Sequence, residues 1–438
     1  MRSLPRGGRG AARRNYHLLE LVREAGFQVH VVSLLEVGQS REEAIESVRG
    51  VCRYAHLFER QPWGLWRGLG AWARSDSYTQ AHDHHPAMGA KVAQLLPQSR
   101  LVVNVDPLLH RVIADAMGKM KGDGAGQDRP FYLLDLGEPP STQLVTCAKG
   151  LRGVRSWACR AEANAVKHLE HTAAAEADLT LLSNEIDLAL LARGLRSGKL
   201  WAIGDGVDEH ETQWGDKIEQ LPNHVLFCGD LALEPHQKTA QWFVQTVMPM
   251  IRRRHPGTVL WLVGRQLPAS IRRLEKQGRV KLSDTAVESM SLPLAMRQCV
   301  VGVAPQHESR GTSASVLMML ATRRPVVCTP EVAALLPGDA ATGPIVAERA
   351  PQIADAVVKL LKDRDAAAKS GERGRSLVSA AATWQVQWCR VAALLTQIAK
   401  GEPLKIESDR TAPRRQRRQQ DQPKPGSPLR PVPGARTR

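Results

Sequence analysis

The chain is expected to be an α/β protein with two doubly wound parallel-sheet domains, and three observations lead there. Short apolar runs alternate with amphipathic stretches as far as Lys400, the pattern of strands joined by crossover helices. The runs form two sets, separated by a polar stretch, Gly204–Asn223. With 438 residues and 43% apolar content, the chain can fill two cores of roughly 150–200 residues each.

Taken in order, Met1 leads almost directly into Leu4-Pro5-Arg6-Gly7-Gly8-Arg9-Gly10, which reads as the glycine loop after a first strand. A central strand upstream of Met1 is therefore expected, because its loss would leave neighbouring strand edges unpaired. A helix over Tyr16–Ala25 and a strand over Gln28–Leu35 follow. Pro62–Arg74 is amphipathic: Trp63, Leu65, Trp66, Leu69 and Trp72 are apolar, with Arg67 and Arg74 flanking. It either packs on the first domain or rests on a membrane. A helix over Pro86–Leu96, a strand over Arg100–Val105 and a helix over Leu108–Met120 come next. Strands over Phe131–Leu136, Leu179–Ser183 and Leu200–Ile203 complete the first set.

The second set comprises strands over Val225–Cys228, Val259–Val263, Val280–Leu282, Cys299–Ala304, Pro325–Cys328 and Pro344–Ala347, with a helix over Gln237–Arg253. Its most informative part is Val300–Pro330. A buried strand ends at Ala304, a polar loop runs over Pro305–Ser313, a short apolar helix covers Ala314–Thr322 and a strand returns at Pro325. Open parallel sheets bind ligands at such carboxyl-end loops. The expected division is a first domain over residues 1–203, a linker over 204–223, a second domain over 224–383 and a crossing helix over 384–400. A basic disordered tail, 401–438, rich in Pro, Arg and Gln, is expected to follow.

The net charge of +16 lies mostly at the ends: residues 1–14 contribute +5 and residues 401–438 contribute +6, leaving +5 for the body. Such a body is no signature of specific nucleic-acid binding. The tail is either simply solvated or in contact with anionic lipid or RNA through counterion release. Cysteines 52, 147, 159, 228, 299, 328 and 389 form no CxxC pair, and several sit in apolar runs, as free thiols of a reducing compartment do. With no apolar leader segment and no apolar run of about 18 residues, a cytoplasmic protein is expected.

In order and spacing, these segments resemble one family. Pro222–His236 (PNHVLFCGDLALEPH), Gly257–Arg265 (GTVLWLVGR), Ile203–Asp208 (IGDGVD), Arg310–Val327 (RGTSASVLMMLATRRPVV) and Gly371–Trp384 carry the likeness in the second half. Arg14–Leu19, Val105-Asp106-Pro107 and Asp135-Leu136-Gly137-Glu138 carry it in the first. Over about residues 4–395 the chain resembles GT-B glycosyltransferases of group 1 (family 4), most closely the exopolysaccharide and exosortase-associated sugar transferases. The resemblance implies two Rossmann-like domains facing across a cleft. It also implies metal-independent hexosyl transfer in surface or exopolysaccharide synthesis. A nucleotide-sugar donor would sit in the second domain, and a glycan or polyprenyl-linked acceptor against the first. The alternative is a non-catalytic GT-B partner or scaffold. Peripheral contact with an anionic membrane is a further expectation; no resident cofactor, metal or specific nucleic-acid partner is expected.

Such chemistry must hold a diphosphate as it leaves, which backbone N–H groups at a helix N-terminus can do with an Arg or Lys. Gly311-Thr312-Ser313 before the Ala314 helix, with Arg310 and Arg265, suit that role, and Gly229 and Gly264 end strands where backbone can approach phosphate. The same residues also read simply as an N-cap and tight βα turns. Glu308 is either a sugar contact or an exposed loop acid. On the acceptor side the candidates for catalysis are Asp106, Glu138 and His85, the last within His82-Asp83-His84-His85-Pro86. That cluster reads alternatively as a metal site or a polar loop before a helix, and Asp135 as a structural group at a strand end. Gly7 and Gly8 are the N-terminal glycine-loop candidates. The chain departs from the family at Arg310 and Met318, where the wider superfamily has two glutamates, at Ser315, where the variant has Lys, and at Gly137, where His is common.

Overall fold

The computed structural model describes residues 11–35, 40–60, 77–83, 85–122, 129–195, 199–208, 218–229, 231, 234–264, 267–275, 280–284, 292–306, 313–338, 342–404, 406, 407 and 409. Every strand pairing among them is parallel. In chain order the strands are β1 (His30–Leu35), β2 (Tyr54–Glu59), β3 (Leu101–Asn104), β4 (Phe131–Gly137), β5 (Leu179–Leu182) and β6 (Leu200–Ala202). They continue as β7 (His224–Phe227), β8 (Val259–Gly264), β9 (Val280–Asp284), β10 (Val301–Ala304), β11 (Val326–Cys328) and β12 (Ile345–Val346).

Residues 224–346 form one six-stranded sheet of order β12-β11-β10-β7-β8-β9. The reversal between β7 and β10 is the switch point at which a doubly wound sheet opens a crevice. Its central strands are buried on both faces, which is why Val225–Phe227, Leu260–Val263 and Val301–Ala304 read as continuous apolar runs. Helices cover each face, and two hydrophobic clusters result, one around Phe227, Phe243 and Leu262, the other around Leu226, Trp261 and Met319.

The first half carries two sheets, β3-β4-β5-β6 and β1-β2. One core joins them: Val31 and Leu35 of β1, Leu133 of β4 and Leu179 and Leu181 of β5 share a cluster. Among the described residues no strand pairs β1 to β3, the place of the expected central strand. The first helix, Ala11–Glu24, begins five residues before its expected start and buries Leu18 and Val22 in the same cluster.

Three helices close the chain. Ala350–Lys362 and Arg364–Ala381 pack on the second half, the latter capped by Asp363, whose Oδ1 accepts from Ala366 N at 2.9 Å. Trp384–Lys400 crosses back, placing Trp388, Val391, Leu394 and Leu395 in the first half's core. The chain passes between the halves twice, and the two passages touch. Val207 bridges Thr383, and Val207 N donates to Ala382 O at 2.9 Å.

Three local features differ from expectation. β2 has only Leu57 fully buried, so its composition carries no strand pattern. The stretch expected as a helix over Gln237–Arg253 contains a π turn, Phe243–Val247. Pro249 lies just beyond it and has no N–H to give the ladder, and a wider turn absorbs that loss. Past Gly401, where a tail without packing is expected, Leu404 and Ile406 lie against the first half's core. There Asp409 N donates to Leu200 O at 2.8 Å and Trp201 Nε1 to Glu407 O at 2.6 Å, so this segment covers the outer strand β6.

Candidate functional site

In the second half, the carboxyl ends of β7, β8, β10 and β11 converge. Gln306, two residues past β10, is completely buried. Its Nε2 donates to Cys228 O at 2.6 Å, and its own carbonyl accepts from Thr329 Oγ1 at 2.5 Å, which ties the ends of β7, β10 and β11 together. Its Oε1 is buried without a hydrogen-bond partner. A Cβ on Gly229 would stand 2.6 Å from Gln306 Nε2 and 3.4 Å from His236 Nδ1. A side chain at Gly229 would therefore push the Gln306 amide away from Cys228 O, a reason for glycine that the sequence alone does not give. Gly264 ends β8 against Leu231 and Leu267, so the β7 and β8 loops pack together.

The helix after β10 begins at Ser313 and runs to Ala321, so its N-terminus lies at this same carboxyl edge. Helix N-termini carry free N–H groups and a partial positive charge suited to anions. Arg265, Glu308, Arg310, Gly311 and Thr312 lie outside the described residues, as do Gly7, Gly8 and the segment Pro62–Arg74. Met318 is half-buried and packs against the cluster around Trp261, so the position offers no hydrogen-bond acceptor.

The first-half candidates also sit at strand ends. Asp106 follows β3 and caps the turn Pro107–Leu109, accepting at Oδ1 from Leu108 N at 3.0 Å, while its own N–H donates to Asn104 Oδ1 at 3.1 Å. Glu138 follows β4, the neighbour of β3, and is half-buried. His85 caps the helix Pro86–Leu95 through its Nδ1, which accepts from Met88 N at 3.3 Å, and its ring lies 5.2 Å from that of Phe58. Leu34, Met88 and Leu109 pack together and hold the His85 and Asp106 segments side by side. His82 and Arg60 both face Asp83 Oδ1, each at 3.2 Å. Among the described residues no three His, Cys, Asp or Glu side chains group as a metal site.

Beneath the end of β4 lies a group that sequence reasoning missed. Arg14, 2% exposed, donates Nε and Nη2 to the Asp135 carboxylate at 2.8–3.0 Å, and Nη1 to Ile203 O at 2.6 Å and Asp205 Oδ1 at 3.2 Å. Its guanidinium also lies over the Trp388 ring, 4.7 Å from the centroid. Burial works against the charge, but Asp135 and Asp205 outweigh it and hold the Arg14 pKa above its ordinary value. Asp135 Oδ1 also accepts from Gly137 N at 3.2 Å. Gly137 has φ +55°, a left-handed conformation that favours glycine. Alongside, Arg13 and His17 both pair with Asp208, and His17 stacks on Trp384 at 4.2 Å. Burial and then the Arg13 cation push the His17 imidazole down to about 4.

A cavity of about 450 Å³ lies elsewhere, at the outer edge of the six-stranded sheet between Pro330, Ile345, Gln352 and Ala356. It is open to solvent and holds none of the candidate residues.

Residues 178–363 match the family model for glycosyl transferases group 1. The matched stretch runs from β5 through the whole six-stranded sheet to the helix Ala350–Lys362 and includes the convergence around Gln306. Among curated proteins no sequence match is found. The fold is that of solved GT-B glycosyltransferases. HepE of Anabaena in complex with UDP and glucose is similar at 14% identity and TM-score 0.55, over 90% of this chain and 97% of that one. WaaG, a glycosyltransferase involved in lipopolysaccharide biosynthesis, is similar at 13% identity and TM-score 0.56, over 90% and 98%. The N-terminal domain of Candida albicans trehalose-6-phosphate phosphatase gives 10% identity and TM-score 0.57, over 91% and 96%. At these identities the likeness establishes the α/β fold with its two Rossmann-like halves.

Proposed function

We propose that the chain transfers a sugar, of the hexosyl type, from a nucleotide-sugar donor to a glycan or polyprenyl-linked acceptor in surface or exopolysaccharide synthesis. The observation that carries this reading is the group 1 match over residues 178–363, because it covers the edge where Gly229, Gly264, Gln306 and the N-terminus of the Ser313 helix come together. In this reading the donor diphosphate lies against that edge, with Arg265, Arg310, Gly311, Thr312 and Ser313 binding phosphate and Glu308 the sugar. A helix dipole and guanidinium groups stabilise the leaving diphosphate, so the reaction proceeds without a metal. The acceptor lies across the cleft, where Asp106, Glu138 or His85 takes its proton. The enzyme is placed in the cytoplasm, on the inner face of the membrane, in keeping with a lipid-linked acceptor. No helix among the described residues is long and apolar enough to cross a membrane.

A second reading has its own support. Met318 packs on a hydrophobic cluster where the superfamily has a ribose-binding Glu, and Gly137 replaces a common His. Both losses fit a non-catalytic partner or scaffold that keeps the fold. Calorimetric titration with UDP-, GDP- and ADP-sugars separates the two. Binding of one of them, weakened at least tenfold by Arg310→Ala, is the transferase outcome; silence with all three favours the scaffold.

A further inference from the structure

We infer that Tyr132 and His110 are positioning residues for Asp106, joined to it by a buried hydrogen-bond chain that can run in only one direction. The Asp106 N–H donates to Asn104 Oδ1 at 3.1 Å, and Asn104 Nδ2 donates to the Tyr132 hydroxyl at 3.1 Å. That hydroxyl lies 3.0 Å from His110 Nδ1, and His110 Nε2 lies 3.3 Å from Glu176 Oε2. The His110 and Tyr132 rings are parallel within 4°, their centroids 5.9 Å apart. Asn104, Tyr132 and His110 are all buried, whereas the Glu176 side chain is 54% exposed. The chain therefore leads from the end of the helix Gly153–Glu176, through buried side chains of β4 and β3, to the turn that Asp106 caps.

The first link sets the direction of the others. A backbone N–H only donates, so Asn104 offers its oxygen to Asp106 and its amide hydrogens to Tyr132. The Tyr132 hydroxyl has one hydrogen, and with Asn104 donating to its oxygen that hydrogen goes to His110 Nδ1. Donor counting thus makes His110 the neutral tautomer, with its hydrogen on Nε2 aimed at the Glu176 carboxylate. A second proton has no place in this order. Nδ1–H and the Tyr132 hydroxyl are then both donors, so the hydroxyl turns away or Asn104 reverses its amide. Reversal sets Nδ2 against the Asp106 N–H, donor to donor. Either way a buried donor loses its partner. Burial pushes the His110 imidazole below its ordinary value, against Glu176 and against Asp115 of its own helix, so it is neutral near pH 7. From β4, the titratable group facing it is the Tyr132 hydroxyl, which burial keeps protonated. That Asp106 takes a proton from an acceptor rests on the transferase reading; its coupling to His110 does not.

The test is hydrogen exchange of the full chain, read by mass spectrometry on peptides spanning residues 104–109 and corrected for the intrinsic rate, at about pH 7.5 and about pH 4.5. In the parent, protection of the Asp106 and Leu108 amides is expected to fall about tenfold at the lower pH, as His110 takes up its proton. Tyr132→Phe, which removes the middle link, lowers it about tenfold already at the higher pH. His110→Asn keeps an acceptor for the Tyr132 hydroxyl but cannot titrate, and its protection is expected to be equal at both pH values. With any nucleotide sugar that turns over, Tyr132→Phe lowers kcat and leaves the donor KM unchanged, and His110→Asn lacks the acid limb of the parent's kcat profile. Protection unchanged by Tyr132→Phe, or an acid loss that His110→Asn shares, overturns the inference. If Tyr132→Phe does not fold, the two-pH comparison of the parent with His110→Asn still decides. Exchange that behaves as expected in a protein that turns over no nucleotide sugar counts against the transferase reading alone, so the two failures are distinct.

Discussion

At the residue scale, Arg14 ties the end of β4 to the passage between the halves. It is buried, its partners come from β4 and from the passage between the halves, and Trp388 of the crossing helix covers it. A buried ion pair contributes little over an apolar replacement, but removing one partner strands the other charge in a low dielectric. Arg14→Met is therefore expected to destabilise the protein by about 3–5 kcal/mol in urea denaturation. Arg14→Met/Asp135→Leu should regain more than half of that loss, because the stranded carboxylate is then gone. A double variant no more stable than the single one would mean that packing around Trp388, and not charge, is what Arg14 supplies. The same residue shows a limit of sequence reading. The sequence around it reads as a helix start, but its partners lie 121 and 191 residues away, and nothing local announces them.

At the element scale, legibility follows burial. Strands buried on both faces, such as β4, β7, β8 and β10, are continuous apolar runs and were readable within a residue or two. β2, with one fully buried side chain, left no such trace, and the π turn before Pro249 depends on helix packing that composition does not encode. The carboxyl edge of the six-stranded sheet is readable as loops and a helix start, but not the role of Gln306, since a lone polar residue in a loop has no pattern. The segment after Gly401 reads as an unpacked tail because Leu404 and Ile406 are only two apolar side chains in a basic stretch; their value comes from covering the edge of β6. Two truncations test this. Ending the chain after Lys400 should lower Tm by about 4–8 °C, the equivalent of about 2 kcal/mol of half-buried Leu and Ile. Ending it after Asp409 should leave Tm unchanged. Equal melting of the two truncated proteins would show that residues 401–409 add no stability.

At the scale of the whole molecule, the two halves are joined where their two connecting passages lie against each other. Gly204 N donates to Gln387 Oε1 at 3.0 Å, Trp388 Nε1 donates to Gly204 O at 3.2 Å, and Val207 N donates to Ala382 O at 2.9 Å. Gly206 lies at the tightest point: a Cβ there would stand 2.5 Å from both Trp384 N and Trp384 Cα, which are backbone atoms that cannot swing aside. A Cβ at Gly204 would meet Gln387 Oε1 at 2.9 Å, the end of a side chain that can turn away. The two glycines therefore give an internal comparison. Gly206→Ala must push the passages apart and is expected to cost about 1–3 kcal/mol, with faster hydrogen exchange at the Val207 amide. Gly204→Ala should cost less and leave that amide protected, because only Gln387 has to move. Thermal melting together with exchange at Val207 reads both effects. If Gly204→Ala and Gly206→Ala destabilise equally and Val207 stays protected in each, the junction yields as one soft surface, and the contact of Gly206 with the Trp384 backbone does not fix how the halves are held.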